Sequence, residues 1–273
     1  MTILRLTERD VPSGSLIAVL SDIHIPHHDT RAMRAIVECC EAIGVEHVIL
    51  NGDIADCGPS SRHDGKRLRE TLTSGTLAES AYPGRWIIDW ARTRNCYLIR
   101  GNHEAWVENR IAEDSTLAGS VTPEKLLGWH EDEDGWRVLA SGSRIRIGSL
   151  VVEHGDGFFK RSSGGANPAG TMLRKAPDQT TLIGHVHRMS AAWNTTRDEF
   201  GIRRTRAAFS AGHLSIEDSH VDYMGGYPGW QQSWTLIRVY WERDRPRFTI
   251  QPVEIHRDRL DRPFFELGGR IYR

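Results

Sequence analysis

The sequence predicts an α/β protein in which two facing sheets are flanked by helices, folded as one domain over residues 1–273. Three observations predict it. Short apolar runs that end in polar residues alternate with segments of helical spacing, the pattern of βαβ units and a mainly parallel sheet. The last third alternates strand-like runs with turns, which predicts a second, mostly antiparallel sheet. Several apolar runs also end in Asp, Asn or His, the residue types that carry chemistry at strand ends in α/β folds.

Leu16 to Leu20 is continuously apolar and ends in Ser21-Asp22-Ile23-His24, a buried strand delivering polar residues at its C-terminal end. Pro26 to Asp29 form a loop, and Asp29 or Thr30 can cap the helix that follows. Met33, Ile36, Val37, Cys40 and Ile43 recur at helical spacing, and Gly44 closes that helix. Val48 to Leu50 is the next strand, and Gly52 lets the chain turn sharply into Asp53-Ile54-Ala55-Asp56. Residues 57–76, rich in Gly, Ser, Arg and Asp, read as an excursion. Leu77 to Arg94 reads as helical with an interruption at Pro83, its apolar face formed by Trp86, Ile87 and Trp90. Cys96 to Ile99 is a third strand, ending in Arg100-Gly101-Asn102-His103-Glu104.

Residues 111–135 are acidic and irregular, a surface insertion or cap. Arg137 to Ala140, Ser143 to Ile147 and Leu150 to Glu153 read as short strands, the third delivering His154-Gly155-Asp156. A loop rich in Gly, Ser, Lys and Arg leads to a short helix around Thr171 to Lys175. Thr180 to Ile183 is another strand, ending in Gly184-His185-Val186-His187. Ala191 to Thr195, Arg204 to Ser210, Trp234 to Trp241 and Arg247 to Val253 make up the second sheet, and an aromatic, Gly-rich loop occupies residues 220–232.

Bulk composition narrows the class without naming it. Hydrophobic content of 39% and charged content of 26% are ordinary for a globular protein. A formal net charge of −1 offers no global attraction to nucleic acid or anionic membranes, so any such contact needs a local patch. Cys39, Cys40, Cys57 and Cys96 show neither CxxC spacing nor a disulfide framework, which predicts reduced thiols and a cytoplasmic protein. The N-terminal stretch lacks the apolar core of a secretory signal, and no run is long enough for a membrane span.

The chemistry lies at five strand ends: Asp22 and His24; Asp53 and Asp56; Asn102 and His103; His154; His185 and His187. Carboxylate, imidazole and amide oxygen without thiolate suit divalent Mn, Fe, Zn, Co or Ni and argue against a structural zinc site. The donors are too many for one ion and suit two that share a carboxylate. Two ions ~3.5–4 Å apart serve in-line displacement at phosphorus, clamping the phosphoryl oxygens and making a bridging water a hydroxide nucleophile at neutral pH. A general acid must then protonate the leaving alkoxide, and an unligated His is the natural choice.

On the motifs DIH at 22–24, GDIAD at 52–56, GNHE at 101–104, HGD at 154–156 and GHVH at 184–187, the chain resembles the calcineurin-like metallophosphoesterases. The motifs stand in the family's order and span most of the first 190 residues. The resemblance implies a four-layer αββα sandwich with a dinuclear site at strand ends. It implies Asp22, His24, Asp53 and His187 around one ion, and Asp53, Asn102, His154 and His185 around the other, Asp53 bridging. It implies His103 as the general acid, oriented by Asp56, and two divalent ions as cofactor, manganese foremost, with Fe, Zn, Co, Ni and Mg also accepted.

One departure is informative. The protein-phosphatase branch continues its second motif with Arg-Gly, whereas this chain has Cys57-Gly58. With the GHVH ending, that favours hydrolysis of phosphodiesters, nucleotide, cyclic-nucleotide or nucleic-acid in type, over protein dephosphorylation. The alternatives are a phosphomonoesterase acting on nucleotides, phosphoproteins or small metabolites, and a non-catalytic scaffold of the same fold. His27, His28, Arg62, His63, Lys160 and Arg161 are candidate substrate contacts, since each follows a ligand-bearing motif, and the resemblance adds His213, which follows a strand where relatives bring a loop to the site. Arg203, Arg204 and Arg206 form a basic strand edge that could meet nucleic acid. Oligomeric state has no signature in the sequence.

Overall fold

The computed structural model describes residues 2–61, 82–113, 122, 127–128, 137–159, 165–197, 199–216 and 229–273. Within them, two six-stranded mixed sheets face one another and helices cover their outer faces. The predicted layering is therefore the observed one.

The first sheet is centred on β2 (Leu16–Leu20), β3 (His47–Asn51) and β4 (Asn95–Ile99), which run parallel, with β5 (Arg137–Leu139) parallel to β4 at one edge. The apolar run of β2 is continuous because both of its faces are buried. Ile17 and Val19 point into the core between the sheets, while Leu16, Ala18 and Leu20 pack against helices. Helix α1 (Thr30–Ile43) returns the chain from β2 to β3. The Asp29 carboxylate accepts the Arg31 and Ala32 amides at its start, and Gly44 ends it in a left-handed conformation (φ 73°). Helix α2 (Arg85–Arg92) covers the same face, with Ile87, Ile88 and Trp90 buried. Pro83 lies in a 3-10 turn at residues 82–84 just before it, and 77–81 of the expected helix lie outside the described residues. Helix α3 (Asn102–Glu113) follows β4 directly.

The second sheet contains β1 (Ile3–Arg5), β6 (Arg144–Ile147), β7 (Leu150–Glu153), β8 (Thr180–Ile183), β9 (Ser190–Arg197) and β10 (Arg203–Ser210), in the order β1-β6-β7-β8-β10-β9. Helix α4 (Pro168–Lys175) covers it, burying Ala169 and Met172 against Ile183 and Ala208. This helix begins three residues earlier than its sequence pattern suggested, because Asn167 caps the amide of Gly170 and proline is suited to the first helical turn.

Three expectations are corrected. The strands of the last third do not form one antiparallel sheet. β9 and β10 join the second sheet, whereas β11 (Ser233–Glu242) pairs antiparallel with β2 and carries β12 (Arg245–Glu254) onto the edge of the first. Alternating apolar residues tell a strand which face to bury but not which neighbour to pair with. The polar lead-in contains β1, parallel to β6. Residues 256–272 form a small third sheet, β13 (His256–Arg257), β14 (Pro263–Leu267) and β15 (Arg270–Tyr272), whose Phe265, Leu267 and Tyr272 close the helix-side core.

Of the expected insertions, residues 62–76, most of 114–135 and 217–228 lie outside the described residues. Among those described, no helix is long and apolar enough to cross a membrane, and the four cysteines are buried and not joined in disulfides.

Candidate metal centre

The parallel strands β2, β3 and β4 end side by side, so their following loops share one edge of the sheet. Those loops continue to pair beyond the strands: Asp22 donates its amide to the Gly52 carbonyl and His24 donates to that of Asp53, at 3.0 and 2.9 Å. From the facing sheet, β7 brings His154 and β8 brings His185 and His187 to the same place.

Five of these residues sit in the left-handed region: Asp22 (φ 55°), His24 (53°), Asp53 (52°), His185 (65°) and His187 (57°). Non-glycine residues adopt it at a cost of order 1–3 kcal/mol, and such strain gathers where side chains must point to a common target. Gly52, at φ 81°, explains its own identity: a Cβ there would lie 2.3 Å from His154 Nδ1.

The side chains form three overlapping triads with metal-ligand spacing: Asp22, His24 and His187; His24, Asp53 and His103; Asp53, His154 and His185. His187 Nε2 lies 3.2 Å from both Asp22 Oδ1 and His24 Nε2. His154 Nε2 lies 3.2 Å from both Asp53 Oδ2 and Asn102 Oδ1. Donors bound at about 2.0–2.2 Å to one tetrahedral or octahedral ion stand roughly 3.0–3.4 Å apart, so these spacings fit a divalent ion. His185 Nε2 is buried and finds no hydrogen-bond partner among the described residues. A ligand would relieve an orphan that otherwise costs about 1–3 kcal/mol.

The surroundings hold the donors in binding form. His154 Nδ1 donates to the Asn51 carbonyl at 2.9 Å, leaving Nε2 for Asp53 and Asn102. The His185 amide donates to both Asp22 oxygens, at 3.1 and 2.9 Å. Burial, then the neighbouring His24, push the His187 imidazole well below its usual range. Burial and then His154 lower His185 as well, so both rings are neutral, the form that binds metal. Burial raises the Asp22 carboxyl to about 6, with the His154 imidazole drawing it back and the Asp53 carboxylate adding to the rise.

His103 and Asp56 meet. His103 Nδ1 makes a short hydrogen bond to the main-chain carbonyl of Asp56, and its distance to the Asp56 carboxylate is 3.5 Å. That carboxylate also lies 3.3 Å from His24 Nδ1. Asp56 thus contacts two imidazoles through its carboxylate and meets His103 through its carbonyl as well. Burial alone would lower the His103 pKa, but Asp53, then Asp56, raise it to about 9.

The candidate substrate contacts divide. His27 is half-exposed at the rim, its Nε2 3.9 Å from Asp56 Oδ2. His28 is buried, with Nε2 3.2 Å from Thr30 Oγ1, and His213 is fully buried, stacked behind His187 at 5.2 Å with Nδ1 2.8 Å from Ser215 Oγ. Neither buried ring is open to a substrate, because the antiparallel bridge between His28 and Ser215 draws both loops inward. Arg62, His63, Lys160 and Arg161 lie outside the described residues.

Sequence reasoning gave no role to Glu104. It is wholly buried, and its carboxylate accepts four backbone amides: Asp53 (3.0 Å), Ile54 (2.8 Å), Ala55 (2.9 Å) and Gly101 (2.8 Å). Its place directly after His103, in the first turn of a helix, was the only signal for it. Trp106, packed against His103 with ring centroids 4.0 Å apart and planes tilted by 34°, was also missed.

Solved structures that resemble the chain include Vacuolar Protein Sorting 29 of Cryptosporidium parvum (12% identity, 89% of this chain and 99% of that one, TM-score 0.40). They also include a dimetal phosphatase of Danio rerio (10% identity, 88% and 96%, 0.42) and the E. coli phosphoesterase Yfce (13% identity, 86% and 98%, 0.37). No curated protein matches it in sequence. Residues 15–222, which contain every strand end described above, match the calcineurin-like phosphoesterase family, and the chain belongs to that family.

Proposed function

We propose that the protein is a dinuclear-metal phosphodiesterase whose ions are held at the joined strand ends. The observation that carries this reading is that the triads Asp22–His24–His187 and Asp53–His154–His185 are linked by a third, His24–Asp53–His103, in which Asp53 meets His24. Asp22, His24, Asp53 and His187 would hold one ion, and Asp53, Asn102, His154 and His185 the other. Bound there, divalent ions supply Lewis acidity at the phosphoryl oxygens and activate water.

The chain's own residues account for the rest. His103 Nδ1 is engaged by the Asp56 carbonyl, so the ring presents Nε2, 3.8 Å from Asp53 Oδ2, to the reacting group. A protonated imidazole there donates to the departing oxygen. Burial excludes bulk water from both triads, which strengthens each charge interaction. His27, at the rim beside Asp56, supplies a polar contact to the substrate. The diester preference rests on Cys57, which stands where protein phosphatases carry their arginine.

The test compares hydrolysis of bis-p-nitrophenyl and mono-p-nitrophenyl phosphate with Mn, using wild type, Asp53→Asn and His103→Ala. We expect diester preference and a large loss in Asp53→Asn, with a smaller loss in His103→Ala on these activated esters than on an alkyl diester. A clear preference for the monoester overturns the diester assignment. Asp53→Asn as active as wild type, or His103→Ala as active as wild type on the alkyl diester, overturns the mechanism.

A further inference from the structure

The loop that follows β10 is bonded to two of the segments that carry metal-ligand residues. Leu214 donates its amide to the Asp22 carbonyl at 3.0 Å. Gln231 donates to the His187 carbonyl at 3.0 Å, and His213 donates to the Gln231 carbonyl at the same distance. Residues 211–215 and 229–233 are therefore joined to one another and to the segments of Asp22 and His187. The join is tight at its turn: a Cβ at Gly212 would lie 1.9 Å from the Gln231 carbonyl oxygen.

His213 is the side chain that this loop sets against the ligands. Its ring is wholly buried and stacks on that of His187, with centroids 5.2 Å apart and planes 28° from parallel. The Trp230 indole meets the same His187 ring edge-to-face at 4.4 Å and the His213 ring at 5.7 Å. Ser215 Oγ, 2.8 Å from His213 Nδ1, fixes the rotation of the His213 ring. His213 Nε2 finds no hydrogen-bond partner among the described residues, so a hydrocarbon ring would be cheaper to bury here.

These ring contacts bear on one of the two outer triads. His154 is oriented by the hydrogen bond from its Nδ1 to the Asn51 carbonyl, whereas His187 is gripped by rings packed on it. Among the described residues, neither His213 nor Trp230 makes a ring contact with His154 or His185. His187 Nε2 stands 3.2 Å from Asp22 Oδ1 and from His24 Nε2, and its ring tilts out of that position only by displacing its neighbours.

We propose that His213 is a positioning residue for the ion of Asp22, His24 and His187, and that it sets the affinity for that ion separately from the one beside His154 and His185. This rests on the dinuclear-metal reading above and adds which of the two ions the buried loop controls. His213 touches neither substrate nor reacting group. It acts through the plane of the His187 ring.

The experiment titrates the metal-free, full-length protein with Mn(II) in the absence of substrate, counting bound ions per chain from the electron paramagnetic resonance of free Mn(II). We expect two ions in wild type. His213→Ala should weaken one of them about tenfold or more and leave the other in place. His213→Leu, which refills the space without a flat ring, should do the same and carries the test if the alanine variant does not fold. His213→Phe, which keeps a ring and removes its nitrogens, should restore both ions. Adding His187→Ala to His213→Ala should cost no further ion, whereas adding His185→Ala should remove the second.

The inference is overturned if His213→Ala and His213→Leu bind two ions as wild type does, if they weaken both ions alike, or if His213→Phe fails to restore the weakened one. It is also overturned if His187→Ala removes a further ion from the His213→Ala variant. Fewer than two ions in wild type overturns the dinuclear reading itself, a different outcome.

Discussion

The Glu104 carboxylate accepts the backbone amide of Asp53 at 3.0 Å, so the residue next to the proposed acid holds the loop that carries the proposed bridge. Three further amides converge on the same carboxylate, from Ile54, Ala55 and Gly101. One buried side chain thus ties the end of β3 to the start of α3, and the left-handed turn at Asp53 depends on it.

Glu104→Gln should therefore act on both stability and metal binding. Its amide nitrogen would face backbone N–H groups that need an acceptor, at a cost of about 1–3 kcal/mol. Metal affinity should fall roughly 10- to 100-fold, as for other residues that orient ligands. Thermal denaturation and metal titration read the two effects separately.

Asp53→Asn should reduce bound metal as well as activity. It removes the charge facing His154, His103 and His24, and the loss of activity should exceed about 100-fold. Elemental analysis of the purified variant checks it: full metal content with low activity would place Asp53 outside the metal shell.

His103→Gln should lower kcat by about 10²- to 10⁴-fold while leaving metal content unchanged. The loss should shrink for p-nitrophenolate, a leaving group that departs without a proton. His103 also stands in a triad with His24 and Asp53, and loss of metal in this variant would reassign it as a ligand.

Gly101→Ala separates steric from chemical demands. A Cβ at Gly101 would lie 2.2 Å from Asp53 Oδ1 and 2.5 Å from the Asp53 backbone nitrogen, so the loop must shift. We expect about 1–3 kcal/mol of destabilisation and impaired metal binding. Gly142→Ala meets nothing within 4 Å, and its φ of 75° should cost only about 1 kcal/mol with activity intact.

Chelation should destabilise the protein as well as inactivate it. Ions present at a hundred times their Kd contribute about 2.7 kcal/mol by mass action, several degrees in Tm for a chain of this size. Calorimetry before and after chelator, with each divalent metal restored in turn, measures this and ranks the metals.

Much of the architecture and the site was legible because both rest on local patterns. The runs Leu16–Leu20 and Val48–Leu50 announce buried strands, and Asp22, His24, Asp53, Asn102, His103, His154, His185 and His187 each follow such a run directly. A strand end fixes the position of the next few residues, so a polar cluster there is readable one segment at a time. Asp29 and Gly44 were readable for the same reason, since a helix cap is satisfied within four residues.

What only the tertiary structure decided involves distant pairing or burial. β11 joins β2 across more than two hundred residues, and no local pattern specifies that neighbour. His28 and His213 resemble rim residues in sequence, yet the bridge between His28 and Ser215 buries them. Asp56 reaches His103 through a carbonyl, an atom every residue possesses. Glu104 binds an entire turn because four amides point at one spot. The sequence by itself determined which chemical groups the protein owns and at which strand ends they stand. The packing of two sheets determined which of them face one another, because distances between side chains far apart in sequence are set only when the core closes.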